Sequence, residues 1–319
     1  MIRAATALIL YGLLISLSPA SLHVAPAEQE AQTPLFRSKT DAVMVDATVR
    51  DEKRRSITGL TADDFEVIDN GVPQRVHDVS YGKLPVDITI ALDVSHSVSG
   101  GLLDRLRQAV VQLMGDLGKD DRLKLVLFNM KVTRTFDYTR DVRTVERAIR
   151  GASAGGGTSL YDAMSVALVS ESPSDRRQLA VFFTDGTDST STTSGDVLVE
   201  VARRTRATLA FVVPAATARV LNFTTVSGGV SFSTPIQQLQ ASSPPLLRTL
   251  TQETGGIVLP VAASSNLTAA FRTVLNEFRS AYVLYYSPRG VDRAGYHSIE
   301  VKVRRDGAQV QARRGYFSS

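Results

Sequence analysis

The chain has 319 residues, 43% hydrophobic and 21% charged, a balance that excludes a disordered polyelectrolyte and fits a globular protein of one or two domains. Thirty-six basic residues against 32 acidic ones leave a net charge of +4. The densest basic group, Arg304, Arg305, Arg313 and Arg314, lacks an aromatic stacking platform, which argues against nucleic-acid binding, and the absence of cysteine excludes disulfides and a lipidated cysteine.

Residues 1–27 read as a secretory signal peptide. Arg3 precedes an apolar run at 7–17, and His23-Val24-Ala25 or Ala25-Pro26-Ala27 offers small residues for cleavage. The apolar run is well short of the roughly 20 residues a spanning helix needs. No later stretch reads as transmembrane, so a secreted, periplasmic or envelope location follows. Residues 28–40 read as a linker.

Alternating apolar residues predict a strand at 43–49, and Thr61-Ala62-Asp63-Asp64 predicts one capped helical turn. A strand at 65–68 then enters a tight turn at Asn70-Gly71, with residues 76–81 returning. Residues 41–83 thus form an N-terminal β segment.

After Pro85 the run VDITIALD (86–93) is almost wholly apolar or β-branched, as in a strand buried on both faces of a parallel sheet. Apolar residues at spacings of three and four predict helices at 102–117, 142–149, 160–169, 196–206, 246–254 and 267–278. Strands are predicted at 122–129, 132–138, 178–185, 208–213 and 257–261. The fold class is α/β: a doubly wound, mostly parallel six-stranded sheet covering 84–280.

Strands return at 281–288, 297–305 and 308–317, with Asp306-Gly307 as a turn. Neither terminal segment has enough strands for its own two-layer core. Residues 281–319 are therefore expected to pack with 41–83 as one small antiparallel unit into which the α/β domain is inserted, separate sheets at each end being the alternative.

Open parallel sheets bind ligands beyond the carboxyl ends of their strands. Asp93 and Asp185 are predicted at two such ends. Ser95 and Ser97 follow Asp93 at alternate positions, and the glycines 155–157 deliver Thr158 to a helix start. Two carboxylates and three neutral hydroxyls suit a small divalent cation, Mg²⁺ first, with Mn²⁺ or Ca²⁺ as alternatives. The two carboxylates only offset the ion's charge, which leaves it able to accept a further carboxylate from a partner.

The motifs DVSHS, GGGTS and FFTDG, in this order on an α/β sheet, resemble the von Willebrand factor A domain with its metal-ion-dependent adhesion site, over residues 84–280. That resemblance implies that Ser95, Ser97 and Thr158 contact the metal directly while Asp93 and Asp185 act mostly through water. It also implies a module that captures an Asp or Glu carboxylate of a protein partner. The flanking stretches FRSKTDAVMVDATVRDE, GLTADDFEVIDNGVPQRV and ARRGYF resemble a related family common in acidobacterial genomes.

Candidate partner-facing residues are His96, Gly157, Asp188, Phe223 and Phe232, the last two within a long insertion at 215–243 that holds a single charge, Arg219. Asp188 and Asp196 are read either as turn and helix caps or as a second metal site. Two other functions stay open: an envelope scaffold in which the metal only rigidifies loops, and a Mg²⁺-dependent phosphoryl-transfer or hydrolytic enzyme. Against the enzyme, a haloacid-dehalogenase-like nucleophile is usually followed two residues later by an acid, where this chain has Ser95, and no nucleophile elbow is present.

Overall fold

VMVDATVR folds as β1 (Val43–Arg50), its alternation turning Val45, Ala47 and Val49 inward. A capping box closes the following turn, with the Thr61 N–H donating to Asp64 Oδ2 at 2.7 Å. Next comes β2 (Phe65–Asp69), and Asn70 and Gly71, at φ of 46° and 82°, make the primed two-residue turn expected of Asn-Gly. The partner across that turn is a different strand from the one predicted. It is β3 (Val72–Gln74), with Asp69 opposite Val72, while β4 (Val76–Tyr81) leaves for another sheet. Pro73 cannot donate to a ladder, which suits the edge position of β3. This computed structural model describes residues 42–82, 84–98, 100–134, 136–169, 172–173, 175–214, 245–262 and 266–318. The predicted leader and the insertion at 215–243 lie outside them.

The α/β unit opens with β5 (Val86–Asp93), buried at every position. It continues through α1 (Gly101–Asp116), β6 (Arg122–Phe128), β7 (Val132–Arg134), α2 (Val142–Arg150), α3 (Leu160–Leu168), β8 (Arg177–Phe183) and α4 (Gly195–Arg204). Then come β9 (Thr208–Pro214), α5 (Pro245–Thr254), β10 (Ile257–Val261) and α6 (Leu267–Arg279). The strand order is β10-β9-β8-β5-β6-β7, parallel except for the edge strand β7. The sheet is thus six-stranded and mostly parallel, as expected. The predicted strand 132–138 shortens to three residues, resuming only as a bridge between Leu123 and Thr139.

Each face of this sheet has its own core. Leu106, Val110 and Leu113 of α1 pack with Val145 and Ile149 of α2 and Phe271 of α6 on one side, and Met164, Leu198 and Leu250 of α3, α4 and α5 lie on the other. Gly256 marks the tightest backbone approach: a Cβ there would stand 1.7 Å from the Leu209 carbonyl oxygen. Gly256→Ala must therefore push β10 away from β9. We expect it to cost about 3 kcal/mol, the upper end for overpacking, measured as a lower urea midpoint at unchanged slope.

The last strands are β11 (Tyr282–Tyr286), β12 (Gly295–Val303), β13 (Gln309–Ala312) and β14 (Gly315–Ser318). The stretch 308–317, predicted as one strand, is two strands in different sheets. The break falls at Arg313, whose guanidinium turns inward and donates to the Gly315 carbonyl at 2.6 Å and the Thr205 carbonyl at 2.9 Å. The two antiparallel sheets run β13-β1-β11-β4 and β14-β12-β2-β3, so each takes strands from both ends of the chain. They share one core containing Val45, Phe65, Val67, Tyr282, Leu284 and Ile299.

Contacts also join the β sheets to the α/β unit. Arg177 pairs with Asp46 at 3.0 Å and lies 3.8 Å from the Phe278 ring centre, and Arg50 pairs with Glu277. Among the described residues no helix is long and apolar enough to cross a membrane.

Candidate metal centre

β5 lies between β6 and β8 in the middle of the sheet, and the chain departs from it to opposite sides, which makes its carboxyl end the switch point where α/β sheets form crevices. Asp93 ends that strand with no exposed surface. Its Oδ1 accepts the Ser95 N–H at 2.8 Å, which folds the chain back so that Ser95 and Ser97 place their hydroxyls 3.1 Å apart. That separation is close to the ~2.9 Å between adjacent corners of an octahedron with Mg–O bonds of 2.0–2.1 Å. Ser95 is buried and Ser97 exposed, so the pair leads from the interior to the surface.

Three loops close a ring around this point. The His96 N–H donates to the Gly156 carbonyl at 3.1 Å and the Gly155 N–H to the Val94 carbonyl at 2.9 Å, joining the serine turn to the glycine loop. Thr158, buried, donates its N–H to Ser189 Oγ at 2.9 Å, while its carbonyl accepts the N–H groups of Ser189 and Thr190 at 2.8 and 3.1 Å. The loop after β8 returns to the start, with Thr184 Oγ1 donating to Asp93 Oδ2 at 3.4 Å. Asp185 falls two residues past the end of β8 rather than on the strand. Its Oδ1 accepts both the N–H and the hydroxyl of Thr187, at 2.9 and 2.6 Å.

Burial holds the Asp93 carboxyl above the ordinary range, against the hydrogen bonds from Ser95 and Thr184 and with help from the nearby negative charge of Asp185. A carboxylate in that position is stabilised by a cation more than by water, since little water reaches it. Two carboxylates and three hydroxyls are hard oxygen donors, and they fit Mg²⁺ in chemical type. Among the described residues no three His, Asp or Glu side chains gather as a metal site.

The structure also identifies supporting residues that the motifs did not reveal. Asn129 Nδ2 donates to the Gly155 carbonyl at 2.9 Å, and Ser159 Oγ meets Thr190 Oγ1 at 2.7 Å. Only the clustering of Ser and Thr at 187–193 hinted at the second of these. The same cluster fastens to α3: Asp188 Oδ1 accepts the Tyr161 N–H at 3.2 Å and the Ser191 hydroxyl at 2.6 Å. Asp196 lies in the first turn of α4, which Ser194 caps. A Cβ on Gly157 would meet Ser189 Oγ at 2.9 Å, so glycine lets the two loops close. His96 is exposed, Gly157 half-buried, and Phe223 and Phe232 lie outside the described residues.

Residues 87–241 match the family model of the von Willebrand factor type A domain. Inter-alpha-trypsin inhibitor heavy chain H4 of Sus scrofa is 29% identical over 137 residues, covering 41% of this chain and 14% of that protein. The uncharacterized protein sll0103 of Synechocystis sp. is 27% identical over 108 residues, covering 33% of this chain and 26% of its own. The chain thus spans a minor part of the curated relatives it matches. Among solved structures, a von Willebrand factor type A protein from Catenulispora acidiphila superposes with a TM-score of 0.49 at 12% identity, covering 88% of this chain and 75% of that one.

Proposed function

Because its α/β unit is a von Willebrand factor type A domain, a kind of domain that typically mediates protein–protein interaction, we propose that the chain is an exported binding module that captures an acidic group of a protein partner through Mg²⁺. The carrying observation is the closed ring of three loops at the switch point, with Asp93, Ser95, Ser97, Thr158 and Asp185 on it. Ser95, Ser97 and Thr158 would hold the ion directly, and Asp93 and Asp185 would act mostly through water. The ion supplies a Lewis-acidic position for a partner Asp or Glu.

The chain's own residues divide the remaining work. Asp93 supplies buried negative charge and fixes the serine turn through the Ser95 N–H. The glycine loop brings Thr158 close without a side chain of its own in the way. Exposed His96 and half-buried Gly157 stand beside the mouth, where a partner would touch them, and Asp188 holds the flanking loop.

Hydrogen bonds already join the three loops, which favours binding over the reading in which the metal serves only to rigidify them. An enzymatic reading is less favoured: Ser95 meets Ser97 through its hydroxyl and Asp93 through its N–H, and among the described residues no histidine bonds to either serine. The test is capture of proteins from native envelope extract on the immobilised chain, followed by EDTA elution. Proteins released by EDTA and retained when Mg²⁺ is restored are the expected result. Capture that is indifferent to EDTA would overturn the reading.

A further inference from the structure

At the opposite end of the sheet from the metal centre, the amino ends of β8 and β9 face β1 across a small surface recess. Four arginines line it, Arg176, Arg177, Arg206 and Arg313, against one lining carboxylate, Asp46. Their existing partners leave positive charge in excess. Arg177 pairs with Asp46, and Arg176 bonds to Asp87 at 2.7 Å, a carboxylate it shares with Arg122. Arg206 donates to the Ser172 carbonyl at 2.6 Å. Arg313 donates to the Gly315 and Thr205 carbonyls, while the charges of Asp46 and Glu253 reach it without forming an ion pair. Asp46 and Asp87 are thus taken up by Arg177, Arg176 and Arg122, and among the described residues Arg206 and Arg313 have no carboxylate at ion-pair distance.

Arg313 is the sharpest case. It is 7% exposed, and among the described residues it has no carboxylate within ion-pair distance. Removing a cation from water is costly unless an opposite charge replaces the lost hydration, and carbonyl dipoles replace only part of it. Burial accordingly pushes its guanidinium below the usual range. Guanidinium forks match the geometry of oxyanions, and the amide of Gln178 adds a neutral donor on the same wall.

We propose that this recess binds a small tetrahedral oxyanion, inorganic phosphate or sulfate, with Arg206 and Arg313 supplying the charge that the protein's own carboxylates leave unmatched. Asp46 comes from β1 and Arg313 from the β13–β14 junction, whereas Arg176, Arg177 and Arg206 belong to the α/β unit. A bound anion therefore clamps the β sheets to the α/β unit, at a place separate from the metal centre.

The test uses the whole chain in EDTA, so that the metal reading plays no part. Thermal unfolding and calorimetry are followed while phosphate, and separately sulfate, replaces chloride at constant ionic strength. A saturable rise in Tm with one anion bound per chain is the expected result. Exposed Arg206 is replaced by Ala, with folding checked by circular dichroism, and anion affinity should fall about tenfold or more, the loss of one charged contact. Arg313→Lys, which keeps the charge and loses the fork, should also weaken binding. A Tm that follows ionic strength alone, or an affinity unchanged in Arg206→Ala, would overturn the proposal.

Discussion

Asp93→Asn is expected to remove the Mg²⁺-induced rise in Tm while leaving the metal-free protein at least as stable as the parent. Asn keeps an oxygen for the Ser95 N–H, held at 2.8 Å in the parent, and its amide replaces the oxygen that Thr184 meets at 3.4 Å. What it removes is a buried negative charge close to Asp185. Without metal that charge is a burden, and its loss should gain ~1 kcal/mol. With metal the same charge holds the ion, and Mg²⁺ affinity should drop roughly 100-fold, as for a strong outer-sphere partner, about 2.7 kcal/mol. The two effects have opposite signs, which separates a lost metal site from a damaged fold. Chemical denaturation in EDTA and in saturating Mg²⁺ reads both, and an unchanged Mg²⁺ response in Asp93→Asn would defeat the assignment.

The contrast between what could be read from the residues and what could not has a physical basis. Strand β5 was readable because both its faces are covered, so its sequence is continuously apolar and its burial is complete. Helices α1 and α6 were readable because one stripe of each meets a single sheet face. Both are local signals. The division of 308–317 into two strands depends instead on Arg313 reaching Thr205, more than a hundred positions away, and no local period encodes such a contact. The crossing of β4 into the second sheet is likewise set by its pairing with β11.

The same distinction runs through the candidate site. The five residues on the three loops announce themselves by residue type and order, because a strand end followed by Asp and spaced hydroxyls is unusual. Their supports do not. Asn129, Thr184, Ser189 and Thr190 are ordinary loop residues whose roles consist of bonds between loops that lie far apart in sequence. Asp188 shows a residue whose type alone leaves two roles open. A carboxylate near a metal-type motif reads as a ligand or as a cap, and its Oδ1 accepts the Tyr161 N–H and the Ser191 hydroxyl as a cap does.

Asp69→Ala should be the most destabilising single change in the β sheets, costing about 4 kcal/mol, the scale for removing one partner of a buried charged cluster. Asp69 has no exposed surface and brings together three side chains from three strands. Its Oδ2 accepts the Tyr286 and Tyr316 hydroxyls at 2.9 and 3.0 Å, and its Oδ1 lies 2.8 Å from His297 Nδ1. Burial above all holds both phenols far above the usual tyrosine range, so they remain donors at every working pH. Tyr286 belongs to one antiparallel sheet and Asp69, His297 and Tyr316 to the other, so this cluster ties the two layers together. Alanine leaves buried Tyr286 and His297 and half-buried Tyr316 without their shared carboxylate, whereas Tyr316→Phe removes a single donor and should cost about 1 kcal/mol. The chain has no tryptophan, so urea unfolding is followed by tyrosine emission and circular dichroism. If Asp69→Ala costs no more than Tyr316→Phe, the carboxylate is not the shared acceptor. The double variant resolves the same question from the other side. Once Asp69 is gone, Tyr316→Phe should cost little, because the phenol has lost its carboxylate acceptor and keeps only the longer contact with His297 Nδ1 at 3.3 Å.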